Sequence, residues 1–461
     1  MNRRRFLASA ALLATVPRAV VGAQARPRTF VPGDAAPLRR VLVHEPGAES
    51  RKVIPFGGGE HAMLGLDVLG EAAAGQHAGV VRLLQEAGVE VLAFGPLLQQ
   101  AVERAREEGQ LRPWLDRVLP RLAPHEPLVG AAAILGADAQ FIYRADERGV
   151  VHRLVDPLRC LCFLRDAAVM TPRGLVLGRL VNNYRALEPE LVRFLTEWSE
   201  PLAYPIAFDA RAERVYLQGG DLIVADADTL WLGVGNLTSE EAAPRLARAL
   251  DMEVVAVELP GDHGGLRGGA NGMASWNGLR TQFLHLDTLV NLTGPREVVA
   301  VPCFLEQRHA RRHPLNGVLH GLIDDPDIFP RYIQQLERSL ERVGRVRVYR
   351  RGSGEPDATV GEAKFVDYLR DRGYTVRFVG GAPPEGRDLA RHLIELVLPE
   401  LRFQGANVVA TGPNRVIGCT GTPRTTETLR GAGVAVATVD AGEFVRWHGG
   451  PHCLTLPLER G

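Results

Sequence analysis

The chain has 461 residues, enough for two or three ordinary domains or for one large domain built from repeats. Hydrophobic residues make up 46% and charged residues 23%, the balance of a globular protein with a substantial core. The 54 basic residues equal the 54 acidic ones, which argues against a nucleic-acid-binding surface or an acidic tail.

In chain order, Asn2-Arg3-Arg4-Arg5-Phe6-Leu7 is a basic, twin-arginine-like start. A short apolar stretch at residues 8–14 and the cleavage-type triplet Ala23-Gln24-Ala25 follow. Residues 1–25 therefore predict a twin-arginine-type signal peptide, export to the periplasm, and the twin-arginine machinery as a partner. An ordinary basic N-terminal helix is the alternative. Removing these residues takes away four arginines and no acid, leaving 50 − 54 = −4. The apolar run is too short to span a bilayer, and no later stretch reads as a membrane span.

Val41-Leu42-Val43, a helical stretch at 76–87, Gly88 and an apolar run at 89–94 form a first candidate module. Residues 96–137 have helical spacing (Leu97, Leu98, Val102, Leu111, Leu115, Val118, Leu119) and predict a helical insertion. Residues 160–194 predict strand, turn, strand and helix. The clearest module is next: a strand at 219–224, a turn at 226–228, a strand at 230–234, a capped helix from Thr238 to about Leu250, and a strand at 254–257. Residues 283–301 fit the same pattern more loosely. The stretch 324–401 predicts an extended insert with three amphipathic helices. Residues 405–439 then repeat strand, turn, strand, helix, strand. About five strand-strand-helix-strand modules result, compatible with a ring of modules or with one mixed α/β sheet.

Four polar segments interrupt this apolar framework. Arg165 and Asp166 place two charges inside an apolar stretch, where a charge is paired or functional. Gln218-Gly219-Gly220-Asp221 is a Gly-Gly-Asp loop entering a buried strand. His285 and Asp287 stand two apart, so a strand would point both to one face. His448-Gly449-Gly450-Pro451-His452-Cys453 is a Gly-rich approach to a cysteine, with His452 expected to point elsewhere. Each segment has a structural alternative: an ion pair, an Asx turn, a satisfied buried pair, a free core thiol. The five cysteines (Cys160, Cys162, Cys303, Cys419, Cys453) are an odd number, so at least one thiol stays outside any intramolecular pairing. A zinc site from His448, His452 and Cys453, or at Cys160 and Cys162, has no second ligand cluster to support it.

Taken in order, residues 38–46, 160–166, 218–238, 285–288, 405–439 and 449–460 resemble arginine deiminase, of the guanidine-modifying, amidinotransferase-like (pentein) superfamily. The resemblance implies an α/β fold: a five-bladed pseudo-symmetric ββαβ propeller with a helical insertion after the first module. A single catalytic domain would span residues 26–461. By matched position Cys453 would be the nucleophile and His285 the acid/base. Asp166 and Asp287 would hold a guanidinium, Gln218 and Arg185 would bind substrate, and Asp221, Gly449 and Gly450 would support the site. The chemistry is consistent: a planar cation with paired N–H donors is best met by carboxylates, and a thiolate can attack its carbon. The implied reaction needs no metal or organic cofactor. The implied partner is a small guanidino compound, giving a ureido product (citrulline from arginine) and ammonia.

The departures narrow this expectation. Gln218 stands where the family has a glutamate that supports the imidazolium, so slower chemistry or a lower pH optimum is expected. Cys160, Leu237 and His448 replace an asparagine and two arginines that grip a free carboxylate, which shifts the expected substrate away from free arginine. An amidinotransferase, or an exported guanidine-binding protein with a decayed site, is the competing reading.

Overall fold

A computed structural model describes residues 31–51, 69–259, 283–321 and 337–461. The signal-peptide reading at 1–25 falls outside the described residues. The architecture is mixed α/β. Among the described residues, β1 (Leu38–Val43) and β2 (Glu90–Ala93) are followed by a hairpin of β3 (Tyr143–Ala145) and β4 (Val151–Arg153). Next come β5 (Ala168–Thr171), β6 (Gly174–Leu177), β7 (Ile206–Asp209), β8 (Leu222–Val224), β9 (Thr229–Val234) and β10 (Glu253–Glu258). The later strands are β11 (Val290–Gly294), β12 (Glu297–Ala300), β13 (Val346–Tyr349), β14 (Thr375–Phe378), β15 (Val409–Gly412), β16 (Arg415–Cys419), β17 (Ala435–Val439) and β18 (Leu456–Arg460).

Apart from the hairpin, these strands form sheets that share one pairing rule. An antiparallel pair is followed by a strand parallel to its second member: β5-β6-β7, β8-β9-β10, β11-β12-β14 and β15-β16-β17. One more sheet draws on both ends of the described chain, with β18 antiparallel and β2 parallel to β1. Parallel neighbours need a crossover, and a helix supplies it each time. The crossover helices are Ala72–Glu86, Glu188–Trp198, Ala242–Leu250, Phe365–Asp371 and Pro423–Gly431. Strands β5, β6, β8 and β11 are buried at every position, as expected of strands covered on both faces.

Helices Phe94–Glu107, Leu111–Val118 and Ala131–Leu135 occupy the stretch expected to be a helical insertion. They bury Leu98, Val102, Leu111 and Leu115 completely. The stretch 324–401 differs from its expectation as one insert. Its β13 adds a fourth strand to the β8-β9-β10 sheet, and its helix Phe365–Asp371 with β14 completes the β11-β12 sheet. The long connection between β12 and that helix hides the module from a sequence reading. Trp231 on β9 shows how closely this part is joined to the rest. It is 1% exposed and packs edge-on against Phe365 and Tyr374, with centroids 5.1 and 5.4 Å away.

The second difference concerns the polar segments, expected at the end of an apolar strand or in a Gly-rich loop. Each lies instead in a tight turn just before the first strand of its sheet. Leu164–Ala167 is one α-turn, while Gly219–Asp221 and Leu286–Thr288 are 3-10 turns. Hydrogen-bonded turns at 403–406 and 451–454 occupy the same place before β15 and β18.

Truncating Trp231 to alanine should destabilise the protein by about 3–5 kcal/mol, the usual cost of emptying a large aromatic site. A urea-unfolding midpoint equal to that of the parent protein would show that 365–374 does not pack on β9 as described.

Candidate active site

Cys453 sits in the turn before β18 and is 3% exposed. Its Sγ lies 3.4 Å from Asp287 Oδ2 and accepts a hydrogen bond from Asn407 Nδ2 at 3.1 Å. The same asparagine accepts the Cys453 backbone N–H at 3.2 Å and donates to the Asp287 carbonyl at 3.1 Å. One side chain from the 403–407 turn thus fixes both the nucleophile turn and the His285–Asp287 turn. Burial, followed by the charges of Asp287 and Asp166, raises the Cys453 thiol well above its ordinary pKa. The Gly450 N–H and the Asn407 amide work against that rise.

His285 begins the 286–288 turn in an extended conformation. Its Nε2 is 2.9 Å from Gln218 Oε1, and its Nδ1 is 3.6 Å from Asp166 Oδ1. The ring lies directly over Gly220, where an added Cβ would come within 2.6 Å of Nδ1. Asp221 secures this turn from below. It accepts the Leu286 N–H at 3.1 Å and the Thr238 hydroxyl at 2.6 Å. Burial pushes its pKa up to about 7.

The two acids are each half-engaged. Asp166 Oδ2 receives Arg185 Nη1 at 2.7 Å, and Asp287 Oδ2 receives His452 Nδ1 at 2.8 Å. Asp166 Oδ1 and Asp287 Oδ1 are buried and have no hydrogen-bond partner among the described residues. Gln218 Nε2 and His452 Nε2 are in the same condition. At Asp287 burial favours the neutral acid, but the His452 hydrogen bond and nearby cationic charge outweigh it and lower the pKa. At His452 burial and then Arg165 lower the pKa, which favours a neutral ring donating from Nδ1.

The structure therefore brings Cys453, His285, Asp166, Asp287 and Gln218 into one buried cluster. The 163–166 and 453 segments touch directly, since the Arg165 N–H donates to the Cys453 carbonyl at 3.3 Å. Gly449 packs against the Phe163 ring, where a Cβ would not fit, and a Cβ on Gly450 would meet Asn407 Oδ1 at 2.8 Å. Arg185, expected to bind substrate, has its donors on protein groups: Nε and Nη2 on Glu188 at 2.8 and 2.7 Å, Nη1 on Asp166. It positions Asp166.

Two participants were not anticipated. His452 was expected to point away, yet the 451–454 turn swings it onto Asp287. Asn407 was read as part of a strand, but it precedes β15. A local signal for the first exists. His285-Leu286-Asp287-Thr288 and His452-Cys453-Leu454-Thr455 share a threonine three residues after a histidine, and both threonine hydroxyls donate to the histidine carbonyl, at 2.7 and 3.0 Å. The considered zinc set is not assembled, because His448 Nδ1 faces Arg402 and His452 faces Asp287. Elsewhere, Cys303, Glu306 and His309 hold ligand-type atoms within 4.8 Å of one another. There Glu306 is already paired with Arg308 and Arg370 at 3.2 and 3.1 Å.

Comparison with known proteins follows this geometry. The arginine deiminase family model matches residues 139–265 and 398–460. An arginine deiminase of Listeria monocytogenes serotype 4a is 23% identical over 467 residues, covering 92% of this chain and 95% of its own. A putative arginine deiminase of Mycoplasma pneumoniae is 21% identical, with 92% and 96% covered. Among solved structures, the N-terminal domain of ArgZ bound to a reaction intermediate aligns at 15% identity and TM-score 0.45, covering 91% of this chain and 98% of that one. A DDAH from Pseudomonas aeruginosa complexed with citrulline aligns at 14% identity and TM-score 0.44, with 91% and 98% covered. By the family model and these full-length relatives, the chain is similar to arginine deiminases.

Proposed function

We propose that this protein hydrolyses a guanidino group, with Cys453 as nucleophile and His285 as acid and base. The carrying observation is the pair of buried carboxylate oxygens, Asp166 Oδ1 and Asp287 Oδ1, that have no hydrogen-bond partner among the described residues, in the cluster around the thiol. A guanidinium has the flat array of N–H donors that two such acceptors lack. Its positive charge would offset the two carboxylates that hold the thiol pKa up, favouring the thiolate.

In this reading the Cys453 thiol loses its proton to solvent as the substrate binds. The Sγ thiolate attacks the guanidinium carbon, and the C=N π pair moves to nitrogen to give a tetrahedral centre. Protonated His285 gives its proton to one nitrogen, and the C–N bond breaks to release ammonia. The neutral ring then takes a proton from water, whose oxygen attacks the S-alkylthiouronium carbon. The C–S bond breaks, the thiol is restored and a ureido product leaves. Arg185 and His452 act by orienting Asp166 and Asp287. Asn407 holds the sulfur and the two turns in register.

The same proposal covers three wider points. The five similar sheets are taken as blades of a closed propeller, which the joining of β18 to β1 supports. Residues 26–461 are taken as one domain. Residues 1–25 are taken to direct twin-arginine export to the periplasm, on their sequence alone.

Incubation with a panel of guanidines should release ammonia and ureido product without an added amine. Product that appears only with an amine would establish a transferase instead, and saturable binding without product a binding protein. Cys453→Ser should lower turnover at least about a thousandfold while guanidine binding persists, because the change removes covalent catalysis and keeps both carboxylates. Turnover equal to that of the parent would remove the cysteine from the mechanism.

Gln218→Glu should shift the basic limb of the kcat profile to higher pH by about one unit or more. The sign follows from charge. A carboxylate near His285 Nε2 stabilises the imidazolium, so the proton needed for ammonia departure is kept to higher pH. A basic limb that stays in place would show that residue 218 does not set the protonation of His285.

A further inference from the structure

The segment that leaves β12 carries three side chains of metal-ligand type that have no part in the reaction above. Cys303, Glu306 and His309 stand three residues apart in sequence. The sulfur, a carboxylate oxygen and a ring nitrogen lie within 4.8 Å of one another. Cys303 and Glu306 are completely buried, and the His309 side chain is 12% exposed. Cys303 packs in the core that holds Trp231 and Phe365, whereas Cys453 packs with Cys160 and Phe163. The cluster therefore belongs to a different core from the proposed nucleophile.

Two features point to a ligand. His309 Nε2 is buried and has no hydrogen-bond partner among the described residues. The Glu306 carboxylate is divided between two sides. Oε1 makes the closest contacts with Arg308 and Arg370, at 3.2 and 3.1 Å. Oε2 accepts the Cys303 N–H at 3.2 Å and stands 3.9 Å from His309 Nε2. That bond holds Cys303 at φ +67, a left-handed conformation uncommon outside glycine. Around a tetrahedral zinc, with bonds of about 2.0–2.3 Å, neighbouring ligand atoms stand about 3.3–3.8 Å apart, so the three atoms close onto an ion with shifts of about 1 Å.

The neighbouring cations oppose such an ion only weakly. The Arg308 and Arg370 side chains are 53% and 43% exposed, so solvent screens both charges and either can turn outward. Lys364 is turned onto the Phe304 and Leu340 carbonyls. Burial lowers the His309 pKa in spite of Glu306, which favours the neutral ring that ligates metals. Burial and then Glu306 push the Cys303 thiol up to about 12, so an ion has to displace its proton to solvent, as bound zinc does.

We propose that Cys303, Glu306 and His309 form a site for a divalent transition metal of the zinc class, with one coordination place left to water. The donor set selects the metal: thiolate and imidazole suit zinc, whereas calcium and magnesium take oxygen ligands. Its role is structural. The Leu305 carbonyl accepts the Val366 N–H at 2.9 Å, and Asp367 accepts the Gln307 N–H at 2.6 Å. The metal fastens this same joint, where the chain departs on its long excursion between β12 and the helix Phe365–Asp371.

The test titrates the full chain, freed of metal by a chelator, with zinc in a calorimeter and with cobalt in a spectrophotometer. Zinc should bind at about one ion per chain with a Kd of about 1 μM or tighter. Cobalt should give a thiolate-to-metal charge-transfer band and visible bands of tetrahedral strength. Cys303→Ser should abolish the charge-transfer band, and His309→Gln should weaken zinc binding at least about a hundredfold. Arg308→Gln should tighten it, because an opposing charge beside Glu306 is removed. Cys453→Ser should leave the zinc Kd unchanged. A parent protein that binds no zinc overturns the site whether or not the variants fold. So does a cobalt band that survives Cys303→Ser and disappears in Cys453→Ser, or weaker zinc binding in Arg308→Gln.

Discussion

The structure depends on two carboxylates buried together with only half of their hydrogen-bonding capacity met. Arg185 holds one oxygen of Asp166, and His452 holds one oxygen of Asp287. The other two oxygens have no hydrogen-bond partner among the described residues, although Asp166 Oδ1 lies 3.6 Å from His285 Nδ1. An unsatisfied buried acceptor costs about 1–3 kcal/mol, and more when it is charged. The surrounding fold must supply that stability, and it does so through strands such as β5, β8 and β11 that are buried on both faces. The strain is local and the support is distributed, the usual arrangement where a site is pre-organised for a ligand.

The repeated sheets explain how four distant stretches of chain reach one point. Each first strand begins with a turn, and the turns, not the strands, present the polar side chains. Such turns pack tightly enough to exclude a Cβ at Gly220 and Gly449. Cross-links between turns then hold the register. Asn407 ties its own turn to those of Asp287 and Cys453, and Asp221 ties the Gly-Gly turn to that of His285. Removing any one of these polar links would leave a partner unsatisfied in another module.

Much of this organisation was legible in the sequence, and the illegible parts have physical causes. Strand, turn, strand, helix and strand recur with clear apolar periods, so the element order of the modules at 219–257 and 405–439 is legible, while their first strands begin three and four residues later than the apolar pattern indicates. The loosely matching module at 283–301 is completed by a helix and β14 that the sequence reading does not join to it, because the chain leaves it for more than sixty residues between β12 and the helix Phe365–Asp371. The Leu284–Thr288 stretch alternates apolar and polar like a strand. Yet the Thr288 hydroxyl and N–H both bond to the His285 carbonyl and close a 3-10 turn. Local hydrogen bonding overrode the period-two pattern. Asn407 takes its place through tertiary partners that no local pattern encodes, whereas Arg185 is held in part by Glu188, three residues further along the chain.

The resting thiol supplies the last link between structure and chemistry. Burial and two nearby carboxylates raise the Cys453 pKa and favour the thiol, a weaker nucleophile than the thiolate. On the proposed reaction the substrate brings a further compensating charge, beyond that of Arg185 on Asp166. Binding a guanidinium would neutralise the same two acids that suppress ionisation, and so would couple recognition to activation. A neutral ligand of the same shape would leave the thiol pKa high however well it fitted. Selectivity for cations would then reside in the chemical step as well as in binding. It would follow from the electrostatics of Asp166 and Asp287, without any conformational change.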